Sequence, residues 1–233
     1  MNSKESITNE KAIIAASLLS VVAVSTSAAF LTGSAEAAAS KEATASVQSG
    51  ATGIEAASVE HMKRTVFSPD GKLVSIFEEW QDTVSPRYKG TATSAEDGTA
   101  SMVIQNGKEF VKYFIDANGN VVDGVKQSFP QASEPSSFFA AEKGRYTREE
   151  WKNKGKVTEN GVTYTKVTRT YTSVGEKFTE TVLLNDSGLP VKESIYTIEN
   201  GKPELQFNAS YEYDKLKADK SLFDVDRVKL PKK

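Results

Sequence analysis

The chain holds a single histidine, His61, and no cysteine. A Ser-His-Asp site would have to use that one imidazole. No G-x-S-x-G elbow accompanies it: Gly98-Thr99-Ala100-Ser101 runs into Met102. The missing cysteines exclude thiol catalysis, disulfide frameworks, zinc-thiolate and iron-sulfur sites and a lipidated cysteine. One histidine excludes a multi-histidine metal centre.

Two carboxylate patterns remain. Glu78-Glu79 beside Trp80 has the parts of a glycosidase acid/base pair next to a sugar-stacking ring. Adjacent strand residues point to opposite faces, so the two cannot work as a pair. Asp116, Asn118 and Asn120 match the start of an EF-hand loop. Val121 then stands where Gly is required, and Gln127 where the bidentate Glu belongs. We read this segment as a hairpin turn. The residues predict no catalytic site, no metal and no cofactor.

With 29 Lys and Arg against 31 Asp and Glu, the net charge is -2. That balance offers no basic excess for a nucleic-acid backbone. The 233 residues are room for one domain or two small ones, with a globular share of apolar and charged residues.

The first residues read as an export signal. Lys4 and Lys11 precede a stretch from Ala12 to Leu31 that carries no charge. Ala35-Glu36-Ala37 follows, with small residues at the first and third places of an A-x-A cleavage site. We therefore assign residues 1–37 to a signal peptide, residues 38–57 to a flexible lead-in rich in Ala, Ser and Thr, and residues 58–233 to one domain. The alternative is an uncleaved anchor, since about 20 apolar residues can span a bilayer. Either way the domain is extracytoplasmic, and any membrane contact runs through this segment alone.

The elements that must position a site are strands. Asp70-Gly71, Asp97-Gly98, Asn106-Gly107, Asn118-Gly119, Asn160-Gly161, Ser187-Gly188 and Asn200-Gly201 suit the positive φ angles of tight hairpins. Runs rich in Val, Ile, Thr, Phe and Tyr between them predict strands at 59–67, 73–82, 87–93, 100–105, 109–116, 121–128, 162–172, 177–184, 190–198 and 204–213. In the last of these, Leu205, Phe207, Ala209, Tyr211 and Tyr213 share one face and polar residues the other. In 109–116, Val111, Tyr113 and Ile115 oppose Phe110 and Phe114, so both faces are apolar. Residues 131–155 break the alternation. Thr147 and Glu150 have the spacing of a capping box, with Tyr146 and Trp151 as its staple and Gly155 as the stop. A second short helix is predicted around Ser136 to Glu142. The fold class is mainly β with a short helical insert: a strongly curved antiparallel sheet whose concave side the insert can plug.

Two stretches resemble a known family. Glu79-Trp80, then Pro86, Arg87 and Gly90, the Asn106-Gly107 turn and Tyr113 look like the front half of LolA-like carriers. Leu189-Pro190-Val191 after its turn, the strand from Leu205 to Tyr213, Asp219, Leu222-Phe223 and a closing Leu230-Pro231 resemble the C-terminal end of LolA/LolB-like lipoprotein carriers. The resemblance spans about Val59 to Pro231 as spaced features. It implies a half-open β-barrel closed by helices, an apolar ligand and no catalytic residues. The chain departs from the family in lacking an amphipathic helix before the first strand and in having few aliphatic residues.

The expected function is that of a non-enzymatic exported envelope protein binding a lipid, an acyl chain or another amphipathic ligand. Met102, Ile104, Phe110, Phe114, Phe207 and Tyr211 are the expected ligand contacts. The alternative is an extracytoplasmic sensor or interaction module whose partner is an envelope protein. A carrier needs several hundred Å³ of mostly apolar volume, whereas a filled module shows an exposed apolar patch or strand edge.

Overall fold

The computed structural model describes residues 58–199 and 201–232. The signal segment, the lead-in and Asn200 of one expected turn lie outside them. The described residues form one antiparallel sheet of eleven strands. These are β1 (Val59–Phe67), β2 (Leu73–Asp82), β3 (Arg87–Ser94), β4 (Ala100–Asn106), β5 (Glu109–Ile115), β6 (Val121–Ser128), β7 (Lys152–Glu159), β8 (Val162–Ser173), β9 (Glu176–Leu184), β10 (Pro190–Glu199) and β11 (Lys202–Leu216). Among the described residues one α-helix, α1 (Phe138–Arg145), separates β6 from β7, and short 3₁₀ turns follow β11 at Lys220–Phe223 and Val225–Arg227.

The order across the sheet is β6-β5-β4-β3-β2-β1-β11-β10-β9-β8-β7. Every neighbour is also a neighbour in sequence except β1 and β11. Two hairpin meanders are thus joined along that one pairing. The sheet is curved and does not close, so β6 and β7 are its edges.

The turn chemistry follows the residues. Asn160 and Gly161 take φ angles of 50° and 79°, as a two-residue hairpin between β7 and β8 requires. Val174 holds φ 50° before Gly175 in the next hairpin, the position that favours Asn or Asp.

The insert holds the short helix expected around Ser136 to Glu142 but not the one expected from Thr147. Helix α1 begins at the Ser137 cap, whose side chain accepts from the Ala140 amide 3.1 Å away. The segment after it is not a second helix. The Thr147 hydroxyl donates back to the Gly144 carbonyl at 2.9 Å and so closes α1 instead of opening a new helix. Residues 152–159 go on as β7, and the expected stop, Gly155 at φ 88°, sits in a bulge of that strand. The expected staple survives without its helix: the Tyr146 and Trp151 rings meet edge to face at 4.9 Å.

The sheet is covered on both faces, but over different halves. Val59 and Glu60 are consecutive in β1 and mark the two faces. On the Val59 face, Ile104, Val111 and Tyr113 pack against Phe223 and Val225 of the C-terminal segment. We call this the tail face. On the Glu60 face, the Glu60 carboxylate accepts from the Ser137 hydroxyl at 2.8 Å and the Phe139 amide at 3.0 Å, and the Phe139 ring meets Tyr213 at 5.3 Å. This is the helix face. Beyond α1, Tyr146 and Trp151 close over Val167, Val182 and Leu184.

Candidate functional site

The helix face beneath α1 is filled by charge rather than by an apolar cavity. Alternation along β1 places Glu60, Met62, Arg64 and Val66 on this face. Along β9 it places Phe178, Glu180, Val182 and Leu184 there. Arg64 donates to Glu193 of β10 at 2.8 Å, and the Tyr211 hydroxyl donates to the same carboxylate at 2.5 Å. Glu180 accepts from Arg169 Nε at 2.6 Å and faces Arg145 of α1 at 3.5 Å. Arg64, Glu180 and Glu193 are all buried.

The two carboxyl groups share a hydrogen bond and therefore a proton. Burial raises Glu180, and the Glu193 charge raises it further against the pull of Arg169. Burial acts on Glu193 in the same sense. The Arg64 guanidinium outweighs it, helped by hydrogen bonds from Glu180 and Tyr211, and holds Glu193 below the ordinary carboxylate range. Nearby, Glu79 accepts from the Tyr88 hydroxyl at 2.8 Å. Tyr88 reaches it only because Gly90 has no side chain: a Cβ there would lie 2.5 Å from the hydroxyl oxygen. Burial raises the Glu79 carboxyl, partly offset by the Tyr88 hydrogen bond.

The expected ligand contacts do not converge. Met102 and Ile104 lie on the tail face, where Ile104 is buried in the core and Met102 packs against it. Phe110, Phe114, Phe207 and Tyr211 lie on the helix face. Tyr211 is bonded within the charge cluster, whereas Phe110 and Phe114 belong to β5, five strands away in the sheet order. The face of β11 is also interrupted. Its register with β10 shifts between Ile195 and Tyr196, so Phe207 pairs with Ile195 and Leu205 with Tyr196. The bulge takes Leu205 off the face that Phe207 shares with Tyr211.

Glu78 and Glu79 point to opposite faces, as alternation requires. Glu78 approaches His61 Nε2 at 3.5 Å on the tail face, and Asp214 approaches Nδ1 at 3.4 Å. The His61 ring stacks on Trp80 at 4.8 Å, and Lys89 lies 4.8 Å from the same indole. The Asp116 loop is a turn, its carboxylate accepting from the Asn118 and Asn120 amides at 2.9 Å.

Four of the exposed large apolar side chains cluster at one edge. Phe114 is 42% exposed, Val122 54%, Val125 49% and Phe129 38%. Phe129 meets Phe110 at 5.7 Å, where the chain leaves β6 to cross the helix face. Beside them, β6 leaves one side of its backbone unpaired. Both edge strands are bulged, but the opposite edge is the more strongly charged: β7 exposes Lys152, Lys154 and Lys156, whereas β6 exposes Asp123 and Lys126.

No known family profile matches the sequence, and no curated protein matches it. Solved structures do. Its structural neighbours include LolA superfamily proteins. One is NE2245 from Nitrosomonas europaea, at TM-score 0.27 and 12% identity over 73% of this chain and 90% of that one. LprF from Mycobacterium bovis is similar at TM-score 0.37 and 12% identity, over 76% of this chain and 90% of that one. A chain of the Pseudomonas aeruginosa MucA/MucB complex is similar at TM-score 0.41 and 13% identity over 75% of this chain. This chain spans 59% of the length of that one.

The charge cluster escaped the sequence reading because Arg64, Glu180 and Glu193 look like ordinary polar strand residues. One signal was available. Glu180 stands between Phe178 and Val182 on the apolar side of β9, a place where a carboxylate needs partners.

Proposed function

We propose that this protein is a non-enzymatic, extracytoplasmic binding module that recruits an extended polypeptide along β6. The observation that carries this is the exposed apolar strip of Phe114, Val122, Val125 and Phe129 beside the sheet edge at β6. An incoming strand would bond to the free backbone of β6. It would lay alternate apolar side chains against Phe114 and Val125. The interior does not compete for this role, because the Arg64–Glu193 network occupies the space beneath α1. A lipid or acyl chain is the alternative occupant of this strip. Export rests on the Ala12 to Ala37 segment, and the N-terminus of protein recovered from the envelope should be Ala38 or Ser40.

Photo-crosslinking in the host tests the reading. A photoreactive residue at Val125 should give a polypeptide adduct, and one at Thr170 on the far half of the sheet should give none. A lipid adduct at Val125, or stoichiometric lipid in native mass spectra of the purified protein, would replace the module with a carrier.

A further inference from the structure

The tail face carries a second feature, away from β6. Over β8 to β11 the C-terminal segment does not cover it. There a shallow groove of about 470 Å³ is lined by Lys166, Thr179, Thr181, Tyr196, Ile198 and Pro203. The pairing explains its composition. Thr179 lies opposite Tyr196, and Ile198 opposite Pro203, so four strands present these side chains together.

Three properties define what fits. The first is charge. Lys166 is half-buried and has no acidic partner among the described residues. Lys63, Lys126, Lys156 and Lys192 each pair with a carboxylate. No lining residue is acidic, so the groove holds an uncompensated cation. The second is hydroxyl density. Thr179 and Thr181 line it, and the Thr170 hydroxyl lies 3.2 Å from that of Thr179 at its margin. The third is an apolar platform of Tyr196, Ile198 and Pro203. The groove is open, so an acyl chain laid in it would keep much of its surface wet. A pyranose ring suits it better: one C–H face rests on the platform while its hydroxyls reach the threonines.

We propose that this groove is a saccharide site selective for a sugar bearing a carboxylate, with Lys166 as the acid-recognising residue and Tyr196 as the stacking platform. The site is independent of the β6 edge, since it lies on the opposite face and in the other meander.

Nuclear magnetic resonance titration of the purified protein tests this with three probes. Methyl glucuronide should shift the Thr179, Thr181 and Tyr196 amides saturably. Methyl glucoside, which differs only in having a hydroxymethyl for the carboxylate, should bind about tenfold more weakly, and acetate should not saturate. Lys166→Gln should bring the glucuronide down to the glucoside level without changing the melting temperature, and Tyr196→Ala should weaken both sugars. Equal binding of the two sugars overturns the acidic selectivity. Absence of saturable shifts with either sugar overturns the site. A long-chain fatty acid that shifts these amides where the glucuronide does not would assign the groove to an amphiphile instead.

Discussion

Arg64 and Glu193 stand 129 residues apart in sequence, yet the guanidinium lies 2.8 Å from the carboxylate, in a place water barely reaches. The pair links β1 to β10 across β11, and through Glu180 it reaches Arg145 of the helix. It joins the two meanders and fastens α1 to both.

Breaking this pair from one side should be costly. Arg64→Met leaves the buried Glu193 carboxylate without its main counter-charge, and should cost about 3–5 kcal/mol in urea unfolding. Arg64→Met combined with Glu193→Leu should cost much less than the sum of the two single changes, because no orphaned charge remains. Strict additivity would show that the pair is not coupled.

Stability should fall from mildly acid to neutral pH. Glu180 is raised to about 7 in the fold, so the folded state binds its proton more tightly than the unfolded chain does. That contribution is complete below the ordinary carboxylate range and is lost as pH rises through about 7. Glu193 has the opposite sign: its depressed value stabilises the fold above the ordinary range, and that stabilisation is lost as pH falls through the depressed value. Melting temperature should therefore decline between about pH 4.5 and about pH 7 and level off above that, and Glu180→Gln should flatten the decline. An unchanged slope in that variant would assign the effect to other groups.

The turn after α1 should depend on its ring contact and not on a cap. Trp151→Ala should cost about 3 kcal/mol or more, since the ring is buried against Tyr146 and Val167. Thr147→Ala should stay within about 0.5 kcal/mol, because its one hydrogen bond is at the surface.

Phe114 and Ile104 should separate binding from stability. Phe114→Ser should cost no more than about 1 kcal/mol, the ring being 42% exposed, while abolishing crosslinking at the β6 edge; serine avoids setting a second carboxylate opposite Asp123. Ile104→Ala, in the tail-face core, should cost about 2–5 kcal/mol.

Val174 is 82% exposed and β-branched, yet it occupies the left-handed region at a hairpin tip. Val174→Asn should stabilise the protein by about 1 kcal/mol, the strain such a side chain meets there. A destabilised variant in thermal melts would mean that the valine makes a compensating contact.

Most strands were legible because two local signals agreed: turn dipeptides with glycine, and apolar or β-branched runs of strand length between them. Strand β7 was not, because Lys152, Lys154 and Lys156 dilute its pattern. Those lysines are what an edge strand uses to discourage pairing, so the signal was removed by the strand's own position. The Thr147 helix failed for a different reason. The residues of a capping box were present, but the hydroxyl had a nearer acceptor in the last turn of α1. The apolar alternation of β5 correctly separated Phe110 and Phe114 from Val111 and Tyr113. It carried no information on which face the C-terminal segment would cover, because that depends on contacts more than 100 residues away. Met102 and Ile104 are parted from the phenylalanines by register instead: they pair with Tyr113 and Val111 across the β4–β5 hairpin and so share that face.

The β1–β11 pairing also bears on how the chain reaches this state. Each meander closes through short hairpins, so its contacts are local and quick to form. The pairing of Val59 with Leu216 has to wait for the whole domain to be present. A chain emerging from an export channel would hold a nearly complete first half while β1 still lacked its partner. Removing side chains at the β1–β11 junction should therefore slow folding only if that junction belongs to the nucleus, and speed unfolding if it forms last.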